Sequence, residues 1–149
     1  ILQDFLSKRT VGYGFPEVRG HAEAVASFKL AIFFAEMLQA PPSQLAGLTL
    51  ELAWLFRFSG EEEKERDMME KAVRLYSESF LREHYPIGGM TDMMVIYLIS
   101  ALYYRLGNVE KATQYLSRII SDYDSKIQER KLYERARQLW QDIRAAQKG

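Results

Sequence analysis

Apolar residues recur at helical spacing along almost the whole chain, and only short breaks interrupt them. In the first long segment, residues 18–39, they advance by three or four positions at a time, which places them on one face of a helix. The members of this predicted buried stripe are Ala24, Phe28, Ala31, Ile32, Ala35 and Leu38. Because alternating strand patterns are almost absent, the chain is predicted to be all-helical.

Glycines, prolines and capping residues divide the pattern into six predicted helices. They span about residues 18–39, 43–58, 62–83, 92–106, 109–121 and 126–147. Ser43 is the predicted N-cap of the second helix, and Thr91 or Asp92 that of the fourth. Residues 1–17 are predicted to be an irregular start, and residues 126–147 a C-terminal capping helix. Since the connections are short, we expect antiparallel neighbours within one domain over residues 1–149.

Composition excludes several classes of protein. A hydrophobic fraction of 48% supports a real core, and 20 basic against 20 acidic residues argue against a surface built for nucleic acid. Residues 125–149 hold 7 basic and 3 acidic residues, a net of +4, which we interpret as a solvated helix. The chain has no cysteine and no apolar run near the roughly 20 residues that span a bilayer. We expect a cytoplasmic protein that does not enter the membrane.

Two eight-residue segments resemble each other. Residues 53–60 read Ala-Trp-Leu-Phe-Arg-Phe-Ser-Gly, and residues 100–107 read Ser-Ala-Leu-Tyr-Tyr-Arg-Leu-Gly. Each ends a helix with a small residue, an aromatic three later and a glycine four after that, and a polar turn and a second helix follow. Residues 108–116 supply the clearest second-helix start, in which Ala112 is small enough for a close helix crossing.

This pattern resembles the tetratricopeptide repeat, which implies antiparallel helix pairs stacked as a right-handed solenoid. Gly60 and Gly107 are 47 residues apart, which is longer than the usual period of about 34. Glu65 stands where the family has a small residue, so looser packing is expected at that crossing. The stripe of the first helix matches the second helix of a still earlier repeat.

The arrangement also resembles a bacterial family of unknown function, on residues 46–55 and on the segment Tyr-Pro-Ile-Gly-Gly-Met at residues 85–90. The resemblance covers most of residues 18–125. Full-length members of that family carry an upstream cysteine-rich segment of zinc-binding type. No such segment is present here and the chain opens with Ile1, so we expect a fragment of a longer protein.

The repeat resemblance implies a concave groove lined by the first helix of each pair, and hence a non-catalytic scaffold that binds a protein or peptide. Aromatic residues beside arginines are typical of such interfaces. The rival interpretation is that the terminal helices bury several of these side chains. Lys and Asn, which clasp a partner's C-terminal carboxylate in some relatives, are replaced here, so that mode is not expected. The predicted groove residues are Leu50, Trp54, Arg57, Phe58, Met94, Tyr97, Ala101, Tyr104 and Arg105.

Catalytic and metal chemistry have weak support in the sequence. His21 and His84 are the only histidines and lack companions at ligand spacing, so no metal and no cofactor are expected. In residues 85–90 a tight turn that packs Pro86 and Ile87 on the core is favoured over an anion-binding loop. We expect no enzyme. Two alternatives stay open: a regulatory domain that senses a ligand or peptide for an attached upstream domain, and a homodimerising spacer that uses Trp140.

Overall fold

The computed structural model describes residues 18–122 and 130–148, and these residues form six helices. The helices are α1 (Val18–Met37), α2 (Pro42–Phe58), α3 (Glu62–Arg82), α4 (Asp92–Arg105), α5 (Val109–Asp122) and α6 (Arg130–Lys148). Within these ranges the only β-type pairing is an isolated bridge between Ile87 and Met90. The all-helical prediction is therefore confirmed. The predicted irregular start at residues 1–17 and the predicted beginning of the last helix at residue 126 lie outside the described residues.

The described residues fall into two compact units that divide between Glu83 and His84. In the first unit α2 packs against both α1 and α3, and in the second each of α4, α5 and α6 contacts the other two. Neighbouring helices in the first unit are antiparallel, as predicted, because the start of α1 contacts the end of α2 and the start of α2 contacts the end of α3.

A small apolar core holds the first unit together. Ile32 of α1 packs with Leu52 and Phe56 of α2, and these three residues are buried. Each large apolar side chain buried in this way stabilises the fold by about 1.5–3 kcal/mol. Glu65 of α3, which was expected to loosen its helix crossing, is itself buried. Partly buried residues complete the cluster: Val25, Phe28, Leu48 and Met68.

The end of α1 differs from the prediction. Gln39 adopts a left-handed φ of 55°, and its N–H donates to the Glu36 carbonyl at 3.1 Å, while the Ala40 N–H reaches the Ala35 carbonyl at 2.9 Å. These two bonds close the helix as a Schellman motif, so α1 ends at Met37. Leu38 lies beyond the end and is 80% exposed, so its predicted place in the buried stripe is wrong.

The start of α2 also differs from the prediction. The helix begins at Pro42, where a missing N–H costs nothing, and Pro41 occupies the N-cap position without a side-chain bond. The prediction that Ser43 is the N-cap is therefore wrong. Glu83, just past the end of α3, supplies the acceptor instead: its carboxylate binds the Ser43 N–H and hydroxyl, each at 2.8 Å.

The structure contains the turns and the cap of α4 that the sequence predicts. Gly107 closes the turn after α4 with φ of 86°, and Thr91 caps α4 by accepting a bond from the Met94 N–H at 3.2 Å. In the loop before α4, Gly88 and Gly89 have positive φ of 55° and 81° between two reciprocal Ile87–Met90 backbone bonds, as in a type I′ turn. The predicted tight turn is thus confirmed.

The loop before α4 packs differently from the expectation. Pro86 is exposed, so its predicted packing on the core is wrong, whereas Ile87 is half-buried.

The helices of the second unit bury the stripes that their periodicity indicates. Most of α4 is buried, which suits a helix that is apolar around most of its circumference. The buried members of α5 are Ala112, Leu116 and Ile119, and those of α6 are Leu132, Ala136 and Ile143.

Candidate partner-binding surface

The last turn of α2 carries a cluster of aromatic and cationic side chains. The guanidinium carbon of Arg57 lies 5.2 Å from the centroid of the Trp54 ring, in cation–π geometry. Phe58 is 47% exposed and stacks on His21, with ring centroids 6.3 Å apart and planes inclined by 21°. The cluster therefore presents two aromatic rings, each with a nitrogen-bearing planar group beside it.

Helix geometry explains why these residues share a face. Leu50, Trp54, Arg57 and Phe58 stand at positions i, i+4, i+7 and i+8, which follow one side of an α-helix. Leu50 is buried, Trp54 and Arg57 are half-buried, and Phe58 is exposed, so accessibility increases toward the C-terminal end of α2. The accessible end of this row is therefore the Trp54–Phe58 end.

His21 completes the cluster, and the sequence pattern did not predict it. Its Nε2 lies 2.6 Å from the carbonyl oxygen of Leu55, which makes Nε2 the proton-bearing nitrogen, because a carbonyl only accepts. The two residues are 34 positions apart in sequence, so periodicity carries no signal of this contact. The bond fixes the imidazole plane against which Phe58 rests.

The matching row on α4 shows a similar gradient. Tyr97 and Ala101 are buried, Met94 is half-buried, and Tyr104 and Arg105 are exposed at the end of the helix. The structure thus brings the α2 residues together in the first unit and the α4 residues in the second. The single groove that both rows were predicted to line stays a prediction.

A second aromatic pair joins α4 and α5 in the second unit. The rings of Tyr103 and Tyr115 stack with centroids 5.9 Å apart, and Lys111 Nζ sits 5.4 Å from the centre of the Tyr103 ring. Tyr115 belongs to α5. Its pairing with α4 depends on the helix crossing, which local sequence does not encode.

Two carboxylates have pKa values displaced from the ordinary range. Hydrogen bonds from the Ser59 hydroxyl at 2.7 Å and from Lys64 Nζ at 3.0 Å hold the pKa of Glu61 below its usual value. Burial tends to raise the pKa of Glu83, but hydrogen bonds from Ser79 and Ser43 outweigh it and lower that pKa. A general acid needs a raised pKa at neutral pH, so both shifts suit structural acceptors.

Metal and membrane features were sought over the same residues. Among residues 18–122 and 130–148, no three His, Cys, Asp or Glu side chains converge in a way that could hold a metal ion. In that same part of the chain, no helix combines the length and apolar character needed to cross a bilayer.

The described residues form helices, and aromatic and arginine side chains stand at the ends of α2 and α4, so the chain belongs to the all-helical class of proteins. The family model described as "Uncharacterized protein conserved in bacteria (DUF2225)" matches residues 1–143, and the chain belongs to this family. The predicted resemblance to an uncharacterised bacterial family is thus confirmed. Searches of curated proteins and of solved structures each return no significant match.

Proposed function

We propose that this chain is a tetratricopeptide-like right-handed solenoid that acts as a non-catalytic scaffold for a protein or peptide partner. One observation carries the proposal. In both repeats an arginine and a large aromatic stand side by side just before the glycine turn, as Arg57–Phe58 and as Tyr104–Arg105. Phe58 is 47% exposed and Tyr104 38% exposed, although large apolar rings are ordinarily buried.

The chemistry of these side chains favours a peptide with apolar anchors. Aromatic rings and arginine are enriched in the energetically dominant positions of protein interfaces. Phe58 and Trp54 offer apolar area, while Arg57 and Arg105 offer planar donors for backbone carbonyls or carboxylates. Together they suit an extended or helical segment that buries a few apolar side chains.

The solenoid part of the proposal is supported by matching backbone features in the two repeats. Gly60 and Gly107 both adopt left-handed conformations, with φ of 77° and 86°, at the same place in each helix pair. The residues nine and twelve positions after these glycines are buried in both pairs: Met69 and Ala72 in α3, and Leu116 and Ile119 in α5. This agreement in register extends the likeness beyond the eight-residue segments.

The proposal is tested by partner capture with the 149-residue chain and two single variants, Trp54→Ala and Tyr104→Ala. The matched control is Leu81→Ala, since Leu81 is 83% exposed on α3 and lies outside the predicted groove. Circular dichroism establishes that each variant is folded. We expect both groove variants to lose captured partner by about tenfold, as for interface anchors, while the control retains it. Unchanged capture by both folded groove variants would falsify the proposal.

A further inference from the structure

The C-terminal half of α1 presents a second apolar face, opposite to the one that packs on α2. Five large apolar side chains there are between 50% and 80% exposed. They are Leu30, Phe33, Phe34, Met37 and Leu38. The start of α1, where His21 meets Phe58, is at the other end of the helix, so this face is separate from the aromatic cluster of α2.

The size of this face is unusual for a surface that stays in water. The exposed fractions together correspond to about three whole side chains, so at roughly 150–250 Å² for each the face offers roughly 450–750 Å². The largest apolar patch of a typical monomer is roughly 300–600 Å², and patches at or above the top of that range commonly mark interaction sites. Two such faces pressed together bury roughly 1,000 Å², which reaches the lower limit of a specific interface.

The sequence spacing of the apolar residues on this face is the same when read from either end of the helix. Leu30, Phe33, Phe34 and Met37 are separated by three, one and three residues, so an antiparallel copy of α1 places Leu30 against Met37 and Phe33 against Phe34. A two-fold axis then passes between Phe33 and Phe34. An isologous interface requires this kind of self-complementary pattern.

The charges beside the face are also self-complementary. Lys29 and Glu36 are seven residues apart, so they lie on the same flank of α1, and both are exposed. Within one copy, Glu36 Oε1 also lies 3.3 Å from Lys71 Nζ, and Lys29 Nζ lies 5.9 Å from the centroid of the Phe56 ring. In an antiparallel pair this flank meets its own copy, and each lysine comes within two helical residues, about 3 Å along the axis, of the other copy's glutamate. Unlike charges therefore meet at both ends of the pair.

We propose that two copies of this chain associate through α1, as an antiparallel helix pair with its two-fold axis between Phe33 and Phe34. The apolar face forms the centre of the interface, and the Lys29–Glu36 contacts form its rim.

Sedimentation of the 149-residue chain tests the association. Over a range from about 1 µM to about 200 µM, which brackets weak interfaces of this size, we expect the mean mass to rise from monomer to dimer. Phe33→Glu should raise the dissociation constant at least about tenfold. Leu81→Glu is the matched control, because Leu81 is more exposed but belongs to α3 and not to α1. Met37→Glu replaces Phe33→Glu if circular dichroism shows the latter to be unfolded.

The outcomes of that experiment separate the possible occupants of the face. A chain that stays monomeric across the whole range overturns the proposal and indicates that something else, such as another part of the protein or a different partner, covers α1. Dimers that Phe33→Glu and Met37→Glu leave intact, or that Leu81→Glu weakens equally, also overturn it.

Cross-linking tests the direction of the pair. The chain has no cysteine, so an introduced thiol is unique. Phe34→Cys places two thiols beside the two-fold axis, whereas Met37→Cys places them about 10 Å apart along the helix axes, beyond disulfide reach. We expect oxidised dimers from Phe34→Cys, and from a mixture of Leu30→Cys and Met37→Cys chains, but not from Met37→Cys alone. Equal cross-linking of Met37→Cys alone overturns the antiparallel arrangement.

Charge reversal gives a rescue that non-specific adhesion does not. Lys29→Glu and Glu36→Lys should each weaken the dimer, and the double variant should restore it, because each end of the pair again joins unlike charges. Glu36→Lys also removes the Glu36–Lys71 pair within each copy, so the comparison uses variants that circular dichroism shows to be folded. If the double variant is weaker than both single variants, the proposed rim contacts are wrong.

Discussion

The carboxylate of Glu83 binds both the backbone N–H and the hydroxyl of Ser43, at 2.8 Å each. One residue follows the end of α3 and the other lies in the first turn of α2, 40 positions earlier. A helix begins with N–H groups that lack intrahelical acceptors and with a partial positive charge. The Glu83 carboxylate supplies both an acceptor and a negative charge. A residue just past the end of α3 therefore caps α2, a role that a local side chain usually has.

Replacing the acceptor tests this interaction. Glu83→Gln removes the charge and one strong acceptor, and we expect a loss of about 1 kcal/mol in the free energy of unfolding, as for a lost helix cap. For a chain of this size that is a fall of about 2–4 °C in Tm. The control is Glu78→Gln, because Glu78 forms an exposed pair with Arg82 and its removal should cost far less. An equal loss from both substitutions contradicts the capping role.

The same carboxylate predicts a pH dependence. Burial raises the pKa of Glu83, but the bonds from Ser79 and Ser43 outweigh it, so the folded-state pKa lies below the ordinary value of 4.5. A group with a depressed folded pKa contributes stability that is complete above its unfolded pKa and is lost as pH falls through its folded pKa. The stability gap between the wild type and Glu83→Gln should therefore narrow below about pH 4.5. Urea unfolding at a series of pH values measures it, and a constant gap argues against the prediction.

Two glycine substitutions should have effects of opposite sign. Gly107 has φ of 86°, and a Cβ added there would meet no atom within 4 Å, so Gly107→Ala should cost about 1–2 kcal/mol from backbone strain alone. Gly47 lies inside α2, where a Cβ would meet only the Tyr76 hydroxyl at 3.9 Å. Gly47→Ala should therefore add about 0.5–1 kcal/mol. Thermal unfolding of both variants decides, and shifts of the same sign count against this account.

The bond between His21 and the Leu55 carbonyl should stabilise the first unit modestly. His21→Phe keeps a ring against Phe58 but loses the donor, and we expect a cost of about 0.5–1.5 kcal/mol. The low end is favoured, because the Leu55 carbonyl also accepts from the Ser59 N–H at 3.2 Å. Denaturant unfolding measures the change, with the exposed His84→Phe as control. No difference between the two variants would mean that the bond adds nothing.

Local sequence predicted the helices well and their partners poorly. The helical periodicity, the turn glycines and the Thr91 cap each depend on residues only a few positions apart. The structure has these features where the sequence predicts them. Ser43 is predicted to be a cap because serine is favoured at that position beside Pro42, whereas the partner that the structure shows, Glu83, is 40 positions away in sequence. Leu38 was assigned to the core because the apolar pattern alone does not reveal where the backbone leaves the helix.

Helix α1 shows a further limit of pattern reading. It carries apolar residues on two faces, and among the described residues of the unit the face with Ile32 and Ala35 is the buried one. Phe33 and Phe34 are as apolar as the buried set, so hydropathy does not distinguish the two faces. Which face is buried depends on the position of α2, which is a property of the tertiary structure.

The sequence predicts part of the candidate surface and misses the rest. The repeat pattern predicted the clustering of Trp54, Arg57 and Phe58, because they share one helix face. It did not predict His21, which reaches them through the antiparallel contact of α1 with α2. A pattern within one helix therefore finds part of such a surface and omits the neighbours that complete it.

Each helix packs mainly on its neighbours in sequence. This pattern affects how the chain can fold while it is being translated. Closing a loop costs entropy that grows with its length, and folds built from short-range contacts form quickly. In the first unit the tie between Ser43 and Glu83 spans 40 residues, and α1 to α3 are complete once Glu83 has been added. These three helices therefore have the contacts described within their own unit before α6 has been translated.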